Sequence, residues 1–392
     1  MTQLLKFLFP LLLSTGLYAS PQSVTIAFYS ENLTIPFDSD MKLNTTVRVQ
    51  DQVLVRYFKQ MEATNYSLLL DHLLLLQGEK DLNDWLFYEL MQESVDQILE
   101  GKTKLRKQLT LWFLLSKVGF DTRLTYLNKE VFVYVHTDEE LFEVPIIEAD
   151  GRNFANLTSI KNKKRRREAL YMLDFKPNRA GRPFKFYLKR LPKLKELPQE
   201  KVLEFSVENQ RYQLKMETDA TAKMLMRTYP LMHESQYLQV PFSKLTEASL
   251  LPKLKRLISK QSAEDAIKIL ISFTRSSFAY KEDKSFFGYS KPMIPEEVFL
   301  YPYSDCEDRV ALMYAMVKKL LKLPMVVIAY EDHLTLAISI PGMRGDAVQY
   351  KGKKFFFCDP TGPIDSSEIG RIPYGYEEQG FEIIAAYLPK NP

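Results

Sequence analysis

The chain has 392 residues, 46% of them hydrophobic and 26% charged, a balance that fits globular protein and excludes extended disorder. That length allows two or three domains, each with its own core. A formal net charge of +4 is small for the length, and no nucleic-acid motif accompanies it, so a nucleic-acid partner is not expected.

Residues 1–20 read as a signal peptide: Lys6, an apolar stretch from Phe7 to Leu13, and a small-residue region ending Ala19-Ser20. Export to a periplasmic or extracellular location follows as the expectation. No later stretch is long and uncharged enough to span a bilayer, because Asp71 and His72 interrupt the Leu-rich segment 68–76. The mature chain is therefore expected to have no transmembrane segment.

Residues 21–167 are expected to form an α+β domain. Its clearest pattern is an apolar helix from Leu105 to Val118, then strands Val131 to Val135 and Leu141 to Ile147, then a turn at Asp150-Gly151. The basic run Lys161 to Arg167 reads as a solvated loop between domains. Residues 168–244 have a different texture, with short strands predicted at 170–175, 183–188, 202–207 and 212–216, and suggest a small β domain.

From residue 245 to 392 the pattern returns to helices, one of them over Ala263 to Phe278. An aromatic, Pro-rich loop (Lys281 to Pro302) follows, suited either to wall a substrate cleft or to pack beneath the next helix. Val310, Met313, Tyr314, Val317, Leu320 and Leu321 then recur at helical spacing until Pro324, which puts Cys306 at a helix start. Asp305, Glu307 and Asp308 suit that end of a helix, and its unpaired N–H groups would stabilise a thiolate or an oxyanion. A buried strand (Met325 to Tyr330) comes next, then His333 opening a second strand, and a third strand (Lys354 to Cys358) that Gly352 introduces and Asp359 closes.

Cys306, His333 and Asp359 thus occur in an order that chemistry can use. A thiol needs a base to draw off its proton, histidine is the usual base, and a carboxylate behind it fixes the ring. Cys358, inside an aromatic strand, reads instead as a small buried hydrophobe, although a disulfide between the two cysteines is chemically permitted in an oxidising compartment. His72, His136 and His233 have no comparable setting, and no Cys/His cluster has zinc spacing, so neither metal nor cofactor is expected.

The motifs Asp305-Cys306-Glu307-Asp308-Arg309, His333 before alternating apolar residues, and Asp359-Pro360-Thr361 resemble the core of the transglutaminase-like superfamily of papain-type cysteine enzymes. The resemblance covers the last third of the chain. It implies a helix-borne cysteine packed on an antiparallel sheet, with Cys306 as nucleophile, His333 as general base and Asp359 orienting it. The chain lacks the upstream glutamine of papain-like oxyanion holes, and Tyr301 and Tyr303 are the candidate substitutes. By the same resemblance the N-terminal half reads as a degenerate copy. Sliding it by 204 sets Cys306 over Lys102 and His333 over Lys129, and a small gap sets Asp359 over Asn156; an unrelated α+β domain is the alternative.

The expected function is acyl transfer on peptide or carboxamide bonds of a protein or peptide substrate, through a thioester. Hydrolysis is favoured over transamidation because water outnumbers any lysine. The alternative is a noncatalytic binding or scaffold protein on the same fold.

Overall fold

The computed structural model describes residues 21–158, 170–178, 181–207, 209–362 and 368–389. The predicted signal peptide and the basic run 161–167 lie outside the described residues. A hairpin, β1 (Pro21–Phe28) and β2 (Glu31–Asp38), opens the described chain and is followed by α1 (Asp51–Glu62), α2 (Ser67–Lys80), α3 (Asp84–Ile98) and α4 (Lys104–Lys117). Strands β3 (Thr122–Leu127), β4 (Glu130–His136), β5 (Leu141–Phe142), β6 (Ile146–Ala149), β7 (Arg152–Asn156) and β8 (Tyr171–Met172) come next. Five of these build an antiparallel sheet in the order β6-β7-β4-β3-β8. In α2, the Leu-rich segment buries Leu69, Leu70, Leu73 and Leu76 and leaves Leu74 and Leu75 outward. Among the described residues no helix is long and apolar enough to cross a membrane.

A long hairpin, β9 (Pro198–Val207) and β10 (Gln210–Asp219), leads into α5 (Thr221–Met226), β11 (Leu231–Met232), α6 (Glu234–Tyr237), α7 (Lys244–Ser249), α8 (Leu251–Ile258) and α9 (Ala263–Ser277). Then come β12 (Ala279–Tyr280), α10 (Asp283–Phe286), β13 (Tyr303–Ser304) and α11 (Cys306–Met316). One π-helical turn, Val317–Leu321, continues α11, and Lys322 ends it at φ 54° ahead of Pro324. The chain closes with β14 (Met325–Ala329), β15 (Leu334–Ile338), β16 (Ala347–Tyr350), β17 (Lys353–Phe357) and β18 (Glu382–Tyr387). These last five form a second antiparallel sheet, ordered β16-β17-β15-β14-β18.

The mixed α+β class expected from the sequence is therefore present, and the two sheets are wired identically. In each, a helix precedes a hairpin, a second hairpin adds to one side, and a later strand closes the other edge. The outer hairpins turn at Asp150-Gly151 and Lys351-Gly352, with φ positive at all four residues, the two-residue turn whose twist matches paired strands.

The shared register corrects the sequence alignment. Both helices begin after a side-chain N-cap, Thr103 and Asp305, so Cys306 corresponds to Lys104, not Lys102. Counting along the central hairpins sets His333 on Glu130, since Leu127 pairs Glu130 where Tyr330 N–H bonds His333 C=O. The bonds from Leu157 N–H to Val133 C=O and from Cys358 N–H to Leu336 C=O set Asp359 on Thr158, not Asn156. Slips of one or two residues are invisible in a sequence with few identities, whereas a hydrogen-bond ladder fixes them.

The segment 168–244 distributes its residues over two cores. The strand predicted at 183–188 has no ladder, yet Phe184, Phe186 and Leu188 are buried in the first core with Trp85 and Trp112. Tyr171–Met172 joins the first sheet, whereas Leu203, Phe205 and Met216 of the β9–β10 hairpin enter the second core beside α9 and α11. A short stretch joins both cores. Ile294 and Leu300 are buried in the first, and Met293, Val298 and Phe299 in the second.

Candidate active site

The amphipathic helix expected after Cys306 is more deeply set than its pattern predicts. Every residue from Asp308 to Met316 is buried, because α11 lies against both β15 and α9. Cys306 is its first residue. Asp305 caps the helix by accepting from Asp308 N–H at 3.4 Å, and Asp308 Oδ2 accepts from Asp305 N–H at 3.1 Å, a reciprocal capping box. The cap fixes where the helix starts and hence which way the Cys306 side chain leaves it.

That direction is toward the start of β15. The backbone N–H of Leu334, the peptide next to His333, lies close enough to the Cys306 sulfur to favour its thiolate. The His333 ring has Nε2 3.6 Å from Asp359 Oδ1, an ion-pair contact longer than a hydrogen bond. Asp359 is held from several sides: its Oδ1 accepts from Thr361 Oγ1 at 2.7 Å and Thr361 N–H at 3.0 Å, and from Thr335 Oγ1 at 3.4 Å. Burial pushes the Asp359 carboxyl up, but His333 and Thr361 outweigh it and leave the group below its ordinary range. Three positions separated by more than 50 residues of chain thus meet at one end of the second sheet. Among the described residues no hydrogen bond joins the Cys306 sulfur to His333, and His333 Nδ1 has no partner.

The acidic residues flanking Cys306 suit the helix start as expected, but the thiolate expected there is not favoured. Burial, and then the charges of Asp305, Glu307 and Asp308, push the Cys306 thiol up to about 12. Burial and the Asp305 charge likewise push Glu307 up to about 8 and Asp283 up to about 7. A helix N-terminus favours a thiolate by a fraction of a charge, and burial together with the neighbouring acidic groups outweighs it.

Asp283, Asp305 and Asp308 bring carboxylate oxygens within 4.8 Å of one another. Each already serves the backbone: Asp283 accepts from Lys291 N–H, Asp308 from Met293 N–H at 3.0 Å, and Asp305 caps α11. The cluster ties the aromatic loop to the helix start.

Several site neighbours carry no sequence signal of their own. Tyr376 stacks on His333 at 5.0 Å between ring centroids and donates to Asp332 Oδ1 at 2.9 Å. Tyr280 also faces Cys306, whose charge helps burial push the phenol up to about 12. Tyr280 and Tyr376 both interact electrostatically with Cys306. Tyr301 packs edge-on against Phe287, with Lys291 over its ring. Buried Arg309 donates to Phe278 C=O at 2.7 Å, Ser304 Oγ at 3.2 Å and Thr361 C=O at 3.4 Å, while Arg275 donates to Asp359 C=O. Arg309 was legible as the last letter of the cysteine motif, but its partners were not.

The aromatic loop does wall a cavity, of about 460 Å³, with Phe287, Tyr289 and Tyr301 facing Phe142, Tyr229 and Tyr237. None of the three candidate site residues lines it. Cys358 is a buried free thiol donating to Phe356 C=O at 3.3 Å, and Cys306 is also unpaired.

No family model, no curated protein and no solved structure matches this chain. The assignment of a function rests on the site itself.

Proposed function

We propose that Cys306, His333 and Asp359 form an acyl-transfer centre of an exported, transglutaminase-like enzyme acting on peptide or carboxamide bonds. The observation that carries this reading is the convergence at one sheet end: the thiol beside the Leu334 N–H, and imidazole Nε2 toward a carboxylate held by two threonines. With Nε2–H turned to Asp359, Nδ1 is the nitrogen left to act as base. A thiol raised to about 12 rests protonated at neutral pH, so deprotonation accompanies attack. As sulfur bonds the carbonyl carbon, its proton passes to His333 and then to the departing amine or ammonia. Water, activated by the same imidazole, then cleaves the thioester; its abundance favours hydrolysis over transamidation.

The test is acylation of Cys306 by a p-nitrophenyl ester, followed by intact-protein mass spectrometry. Buried Cys358 should remain unmodified. His333→Ala should slow the adduct by about 100-fold or more, the usual contribution of a positioned base. Equal rates in both proteins would sink the base assignment.

A second reading has its own support. The raised thiol and the missing sulfur–imidazole hydrogen bond suit a noncatalytic binding module that keeps the fold. It predicts slow acylation, unchanged by His333→Ala.

A further inference from the structure

The equivalence of the two sheets draws attention to the place in the first unit that matches the candidate active site. There Lys104 occupies the helix start and Thr158 lies just past β7. Both line a cavity of about 450 Å³, together with Lys102, Lys107, Tyr88, Gln108 and one carboxylate, Asp96. Where the helix start of the second unit carries acidic side chains, the matching position in the first unit carries lysines.

Its lining is built for a negative ligand. Lys107 pairs with Asp96 at 3.1 Å, but among the described residues Lys102 and Lys104 have no ion pair. The first turn of α4, a helix of 14 residues, adds the positive end of its dipole. Two buried polar side chains point the same way. Gln108 is only 7% exposed and Tyr88 4%, and among the described residues neither side chain makes a hydrogen bond, while both line the cavity. Their polar atoms are open to the cavity rather than sealed in protein, so a ligand there can reach them. Thr158 Oγ1 accepts from Val133 N–H at 2.7 Å, which leaves its own hydroxyl proton to donate.

We propose that this cavity binds a small organic or inorganic oxyanion, a carboxylate or a phosphate. The anionic head sits between Lys102, Lys104 and the open N–H groups of α4, and Gln108, Tyr88 and Thr158 supply the neutral hydrogen bonds that ionic contact alone does not use. The proposal is independent of acyl transfer at Cys306: it requires only the first unit.

Isothermal titration of the full chain with inorganic phosphate, and separately with citrate, at one ionic strength tests it. Saturable binding at one site is expected. Lys104→Glu, at an exposed position, should weaken it at least tenfold, and Gln108→Leu at least threefold. Cys306→Ala should bind as the parent does. Binding of phosphate alone assigns a phosphate ligand, and binding of citrate alone a carboxylate. No saturable binding of either probe, or binding unaltered by Lys104→Glu in protein with parental circular dichroism, overturns the proposal.

Discussion

Asp305 does two opposed things at the residue scale, and they can be separated. Its side chain caps α11, and its charge helps hold the adjacent thiol protonated. Asp305→Ala should cost about 1 kcal/mol in urea unfolding, the usual loss of a cap. The same substitution should speed iodoacetamide labelling of Cys306 at pH 8, because a like charge has gone. Slower labelling in a folded variant would contradict the electrostatic account. Asp283 gives a pH dependence. Its carboxyl is raised to about 7, above the unfolded value near 3.8, so the folded chain holds a proton that the unfolded chain has lost between those values. Stability from this group is present at low pH and is lost as pH rises through about 7. Melting temperature should therefore fall between pH 5 and pH 8, and Asp283→Asn should flatten that slope.

Buried Glu296 joins separate elements of the second unit. Its Oε1 accepts from Thr218 Oγ1 at 2.6 Å and from Asp219 N–H, Ser243 Oγ and Thr246 Oγ1 at 2.8 Å, while Oε2 accepts from Ser243 N–H at 2.9 Å. One carboxylate thus holds the end of β10, the start of α7 and the aromatic loop together. Glu296→Leu strands those donors and should destabilise by roughly 3–5 kcal/mol, whereas Glu296→Gln keeps an acceptor and should cost clearly less. Equal denaturation midpoints for the two variants would show that the bonds contribute little.

The stretch 293–300, which inserts side chains into both cores, makes a prediction about the whole molecule. The chain has two tryptophans, Trp85 and Trp112, and both lie in the first core, whereas Cys358 is buried in the second. Tryptophan fluorescence and Cys358 labelling in a Cys306→Ser background therefore report on different cores. Their denaturation midpoints should coincide, because Met293, Ile294 and Leu300 cannot leave one core without disturbing the other. Separated midpoints would mean that the units unfold independently.

The sequence by itself determined those features that depend on neighbours along the chain. The apolar periods of α4 and α11, the Asp150-Gly151 and Lys351-Gly352 turns, and the strands around His333 and before Asp359 are all local patterns, fixed by helix and hairpin stereochemistry. It also brought forward Cys306, His333 and Asp359 as one set. The tertiary structure decided what depends on atoms far apart in the chain. It corrected the register between the halves by one or two residues, because ladders and caps count residues that similarity cannot. It overturned the expectation that the helix start favours a thiolate, because burial, and then the neighbouring acidic charges, push the Cys306 thiol up beyond what a helix end offsets. Tyr280 and Tyr376 were put beside the thiol, and Tyr88 and Gln108 into a cavity behind Lys104, by folding alone, since nothing in the local sequence of any of them says what it will face.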